Sequence, residues 1–182
     1  MNYYGAKDLV EGIRTVRRNT IRVAEDIPED QYRFRPAPEC RSVSETLVHI
    51  ITAARFQHRI HALERRTTLA GIDFAAVMSE FKAEEKRVRS KSELLGLLRS
   101  EGDKTAQWLD GVSEEFLAER VAMPPGRSPE SKSRFEMILG IKEHEMHHRG
   151  QLMVVERMLG IVPHLTKERE SRAAEAQAGR AN

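Results

Sequence analysis

Three times in this chain a serine stands three residues before a glutamate at the head of a run with helical apolar spacing: SVSE at 42–45, SKSE at 90–93 and SRFE at 133–136. In such a box the serine oxygen accepts from the third backbone N–H, and the glutamate reaches back to the serine's own N–H. Each therefore marks where a helix begins. A fourth helix needs no box: from about Ala6 to Ile27, Leu9, Ile13, Val16, Thr20, Val23 and Ile27 fall on one stripe.

The breaks agree with the starts. Pro28 closes the first helix, and residues 28–41 read as a proline-punctuated loop whose Tyr32 and Phe34 can pack over a bundle end. The second helix carries Val43, Leu47, Ile50 and Ala54, beside a stripe of Thr46, His49, Ala53, Phe56, Ile60 and Leu63. Residues 73–88 suggest a short extra helix. The third long helix carries Leu94, Leu97, Leu98 and Trp108. A crossover at 111–131 holds Pro124, Pro125, Gly126 and Pro129, which argue against a regular element inside it. The last long helix ends near Gly160, with Pro163 beyond. Nothing reads as a sheet.

Four amphipathic helices in one chain predict an all-α fold, a four-helix bundle. The expected organisation is a single domain over residues 1–165 and a charged, alanine-rich tail over 166–182. The chain has 182 residues, enough to bury a core without staples, and one cysteine, Cys40, which excludes an internal disulfide. With 30 basic against 28 acidic residues, the charge balance speaks against nucleic acid and anionic membrane as partners. No apolar run is long enough to span a bilayer, and the opening residues MNYYGAKDLVEGIRTVRRN lack a signal-peptide core. A cytoplasmic protein is the expectation.

Against that background the stretch KEHEMHHRGQL at 142–152 stands out. On a helical wheel Met137, Ile141, His144, His148, Gln151, Val155 and Met158 form one seam, predicted to face the core. His144 and His148, four residues apart, lie one above the other and can converge on one cation. His147 points about 60° aside. A third ligand from a facing helix is wanted, and His49, on an otherwise apolar stripe, is the candidate. Three imidazoles leave a position open for water or substrate. A histidine on an apolar face is more commonly a buried, hydrogen-bonded residue, and only the coincidence of three argues for a metal.

Residues 144–148 also satisfy H-E-x-x-H, in which Glu145 would be the general base of a metallopeptidase. The extended form would need glycine at 151 and histidine at 154, where Gln151 and Val154 stand. Gln151, one turn past His148, is a candidate for orienting a bound group. His58 and His61, flanked by arginines, read as a solvated pair.

FRPAPECRSVSETLVHI, which contains His49, together with HEMHHRGQLMVVERMLG resembles the DinB-like, YfiT-type superfamily of small four-helix proteins, often described as metal-dependent hydrolases. The resemblance spans residues 1–165. It implies an up-down-down-up bundle and a divalent metal, zinc or nickel, held by His49, His144 and His148. It further implies a small-molecule substrate, a low-molecular-weight thiol as cosubstrate in some members, and a homodimer. The leading expectation is a metal-dependent transferase of the thiol type or a hydrolase. The rival from another class is a non-catalytic, metal-binding stress-response protein.

Overall fold

All three serine–glutamate boxes close as capping boxes. Ser42, Ser90 and Ser133 accept from the backbone N–H of Glu45, Glu93 and Glu136, and each glutamate accepts from the serine N–H. The computed structural model describes residues 4–179, so the first three residues of the opening stretch and residues 180–182 of the tail lie outside it.

The boxes head α2 (Val43–His58), α4 (Lys91–Asp110) and α6 (Arg134–Met158), and α1 spans Ala6–Asp26. α3 (Phe74–Lys86) lies in the crossover between α2 and α4. α5 (Glu114–Ala118) lies between α4 and α6, and α7 (His164–Ala178) follows α6. α1 packs against α4 and α6, and α2 packs against the same two, so the consecutive helices α1 and α2 occupy opposite corners of the bundle. Lys91 at the start of α4 donates through Nζ to Ile27 O at the end of α1, and Arg134 at the start of α6 meets His61, just past α2. The four long helices therefore run up, down, down, up. No helix among the described residues is long and apolar enough to cross a membrane.

The core is divided along its length. One cluster contains Val23, Ile27, Leu47, Ile51, Leu98, Leu152 and Val155; the other contains Leu9, Ile13, Ala54, Leu109, Ile138 and Ile141. Arg17 on α1 and Glu145 and His148 on α6 lie between them, and all three are buried. This middle layer positions the site. Tyr32 belongs to the first cluster, its hydroxyl donating to Ala24 O at 2.6 Å.

Three expectations need correction. The crossover after α4 does contain regular structure: β1 (Arg120–Ala122) pairs antiparallel with β2 (Ser131–Ser133). Pro124, Pro125, Gly126 and Pro129 lie in the turn of this hairpin, and Val121 is buried against Ile60 and Leu69. His61 is not solvated. It is fully buried, where Arg134 Nη1 donates to its Nδ1 at 3.1 Å, and burial lowers its pKa to about 4. The core-facing seam of α6 is also turned from the predicted one. Ile138, Ile141, Glu145, His148, Leu152 and Val155 are buried, whereas Gln151 and Met158 are exposed. The turn brings Ile138 and Leu152 inward, and a carboxylate can join them because Arg17 pairs with it.

Candidate metal centre

His49 lies halfway along α2, and His144 and His148 lie one turn apart in the middle of α6. Because α2 and α6 pack side by side in opposite directions, these midpoints meet. His144 Nε2 is 3.1 Å from His49 Nε2 and 3.2 Å from His148 Nε2, and the three donor atoms fall within 4.8 Å of one another. They form a group able to hold one ion.

The outer nitrogens fix which atoms face inward. His49 Nδ1 is 2.9 Å from Glu85 Oε1. A carboxylate oxygen only accepts, so Nδ1 carries the proton and Nε2 keeps its lone pair. The second oxygen of Glu85 accepts from Arg41 Nε at 2.9 Å. His148 Nδ1 donates to Gln151 Oε1 at 2.8 Å, and the Gln151 amide donates in turn to His147 Nε2 at 3.1 Å. Two of the three imidazoles thus have partners that set tautomer and ring orientation, as metal-bound histidines usually do. Glu85 went unnoticed in the sequence because it lies on the short α3, 36 residues from its partner. No spacing rule connects the two positions.

Electrostatics favours neutral rings. Burial lowers the pKa of all three histidines, and the neighbouring imidazoles and Arg41 lower it further, taking His144 down to about 4. Neutral imidazole is the form that binds a cation. The lone pairs on His49 and His148 Nε2 both face His144 Nε2, a grouping that a cation among them would stabilise. Two imidazole nitrogens about 2.0–2.1 Å from one ion, at a tetrahedral angle, are about 3.3 Å apart. The observed 3.1 and 3.2 Å fit that arrangement.

The remaining candidates are placed as follows. Gln151 is exposed and holds His148 rather than standing free in the cluster. Glu145 is directed away from the imidazoles. Its two oxygens accept from Arg17 Nε and Nη2, each at 2.8 Å, and Arg17 Nη1 donates to Leu98 O at 2.8 Å. A carboxylate bound in this way on both oxygens is a structural tie among α1, α4 and α6, so the geometry does not give it the general-base role of H-E-x-x-H. His147 is exposed beside the cluster.

His148 and Gln151 line a cavity of ≈ 640 Å³ formed by the loop before α2, the start of α2, the end of α3 and α6. Arg35, Arg41, Lys82 and Lys86 line it beside Glu39, Glu45 and Glu85, which makes it a charged cavity. Arg35 pairs with Glu45 and Arg41 with Glu85, while Lys82 and Lys86 make no ion pair among the described residues. The histidine cluster is therefore open to small molecules on this side.

The sequence profile of the DinB superfamily matches residues 13–152, a span that includes all three histidines. The uncharacterised protein YjoA of Bacillus subtilis (strain 168) is 26% identical over 160 residues, covering 85% of this chain and 91% of YjoA. Its crystal structure, that of a DinB-like protein, superposes with a TM-score of 0.61 at 22% identity, over 84% of this chain and 91% of that one. YfiT of Bacillus subtilis, described as "a probable metal-dependent hydrolase with an unusual four-helix bundle topology", superposes with a TM-score of 0.66 at 15% identity, over 86% and 88% of the two chains.

Proposed function

The chain belongs to the DinB superfamily, and on that footing we propose that it is a metal-dependent enzyme acting on a small electrophilic molecule, either by transfer to a low-molecular-weight thiol or by hydrolysis. His49, His144 and His148 would hold the ion, zinc or nickel. A divalent cation there supplies Lewis acidity, which lowers the pKa of a bound thiol or water into the physiological range.

The observation that carries the reading is the number of donors. Structural zinc sites close their shell with four protein ligands, whereas catalytic sites keep three and leave a position open. The group here has three donor residues, and one of them lines the charged cavity. Glu85 and Gln151 hold the rings of His49 and His148, and Arg41 fixes Glu85. Lys82 and Lys86 lie where they can attract an anionic group, including a thiolate, toward His148. The description of YfiT as a probable metal-dependent hydrolase supports the same class of chemistry.

Elemental analysis of untagged protein tests the proposal, with His49→Ala and His144→Ala beside it. The expected result is about one equivalent of zinc or nickel in the wild type and little in either variant. A wild type that stays free of metal after reconstitution would overturn it. With metal established, a screen of small thiols against electrophiles, run beside water alone, separates transfer from hydrolysis.

A further inference from the structure

The three imidazoles stand between two cavities. His148 lines the charged one described above. His49 and His144 line the other, a cleft of ≈ 620 Å³ between α2, α3, α6 and the turn of the hairpin. Phe56 meets Phe74 and Phe81 edge to face, with ring centroids 6.2 and 6.1 Å apart, and Met78, Met123 and Met137 extend this apolar wall, while Arg127, Lys132, Glu136 and Glu143 also border the cleft. This is not closed core. Phe74 is 39% exposed and Met78 is 44% exposed, both on α3, which packs on α2.

Apolar rings and thioethers left facing water are unfavourable, and a concave apolar surface with a few polar groups at one end is the usual form of a small-molecule site. The unbranched methionines let such a wall adapt to its occupant. His49 and His144 join this cleft to the histidine cluster. We propose that this cleft receives an uncharged apolar moiety, an aryl group or a short alkyl chain, of the molecule whose reacting atom lies at the histidines. The charged partner or water then arrives from the His148 side. The inference rests on the metal-dependent reading above and gives it a substrate class: an electrophile with a hydrophobic tail, attacked from the side opposite that tail.

Two binding measurements test it. The first titrates metal-free protein with the neutral fluorophore N-phenyl-1-naphthylamine. The second titrates zinc-loaded protein with acetohydroxamate and benzohydroxamate, which share a metal-chelating head and differ in the ring. Met78→Glu puts a charge on the cleft wall at an exposed position, so the fold should survive, and circular dichroism checks this. The expected result is saturable fluorophore binding weakened about tenfold or more by Met78→Glu, and benzohydroxamate binding about tenfold tighter than acetohydroxamate, an advantage that the variant loses. Equal binding of the two hydroxamates, or an aryl advantage unchanged in Met78→Glu, would overturn the inference while leaving the metal site standing. If neither hydroxamate nor zinc binds, the metal reading falls. A fluorophore response in that case would mark a cleft unconnected with the histidines, which also overturns the inference as stated.

Discussion

Glu85 accepts the Nδ1 proton of His49 at 2.9 Å from a helix that is not one of the four long ones. Its other oxygen is held by Arg41, so the carboxylate has little freedom to turn away. Such a partner fixes the ring and makes its free nitrogen more basic, and its loss from metal sites commonly costs 10–100-fold in affinity, roughly. Glu85→Ala should therefore weaken zinc binding about 10-fold to 100-fold, measured by competition with a chromophoric chelator. Unchanged affinity would mean that Glu85 serves α3 packing alone.

Glu145 should behave in the opposite way. Removing one partner of a buried ion pair leaves the other charge stranded, at a cost of about 3–5 kcal/mol. Glu145→Gln is expected to lower the unfolding free energy by that order and leave metal content at wild-type level. Denaturant titration and elemental analysis read the two separately. Loss of metal with unchanged stability would show that Glu145 serves the histidine cluster and is not a structural tie.

Room for Arg17 depends on Gly102. A Cβ at that position would sit 2.8 Å from Arg17 Cγ, so the helix α4 surface must be bare where the guanidinium stem crosses it. Gly102→Ala raises helix propensity by about 1 kcal/mol, yet overpacking costs about 1–3 kcal/mol. A net fall in melting temperature is expected from calorimetry. A rise would show that the Arg17 stem shifts freely.

Glu156, on the last turns of α6, is fully buried, and neither of its oxygens has a hydrogen-bond partner. Burial, with Asp26 nearby, raises its pKa from 4.5 to about 7, against the opposing pull of Arg157 and Lys167. The folded chain thus keeps a proton that the unfolded chain releases above 4.5. The associated stability is fully present below that pH and is lost as pH rises through about 7. Over that window the loss is on the order of 3 kcal/mol. Glu156→Gln stays neutral throughout, so its melting temperature should fall less than that of the wild type between pH 5 and pH 8. Parallel curves would disprove the role.

Much of this was legible in the sequence because it is local. A serine and a glutamate three apart fix a helix start whatever surrounds them, and the three boxes located α2, α4 and α6 to the residue. The histidines were legible because two share a helix at a spacing of four and the third interrupts an apolar stripe. What escaped depends on distant partners. Arg17 carries no local signal and Glu145 reads as a general-base candidate; only the bundle, bringing them together across 128 residues, makes them a buried pair. His61 was misjudged through its arginine neighbours, when the arginine that matters is Arg134, 73 residues away. The hairpin strands have three residues each, too short to show alternation, and their prolines resemble breakers rather than a turn.

The three clustered histidines all belong to α2 and α6, whereas α3 supplies part of both cavity walls and the buttress Glu85, and the hairpin turn supplies part of the second cavity. Scaffold and wallpaper can thus change separately. A lineage can redecorate the crossovers, exchanging phenylalanine for a polar residue or lengthening the turn, without disturbing the bundle that keeps three imidazoles aimed at one point. Divergence in this fold should accordingly run fastest through residues 64–90 and 120–132, and an engineer seeking a new substrate would randomise those windows first.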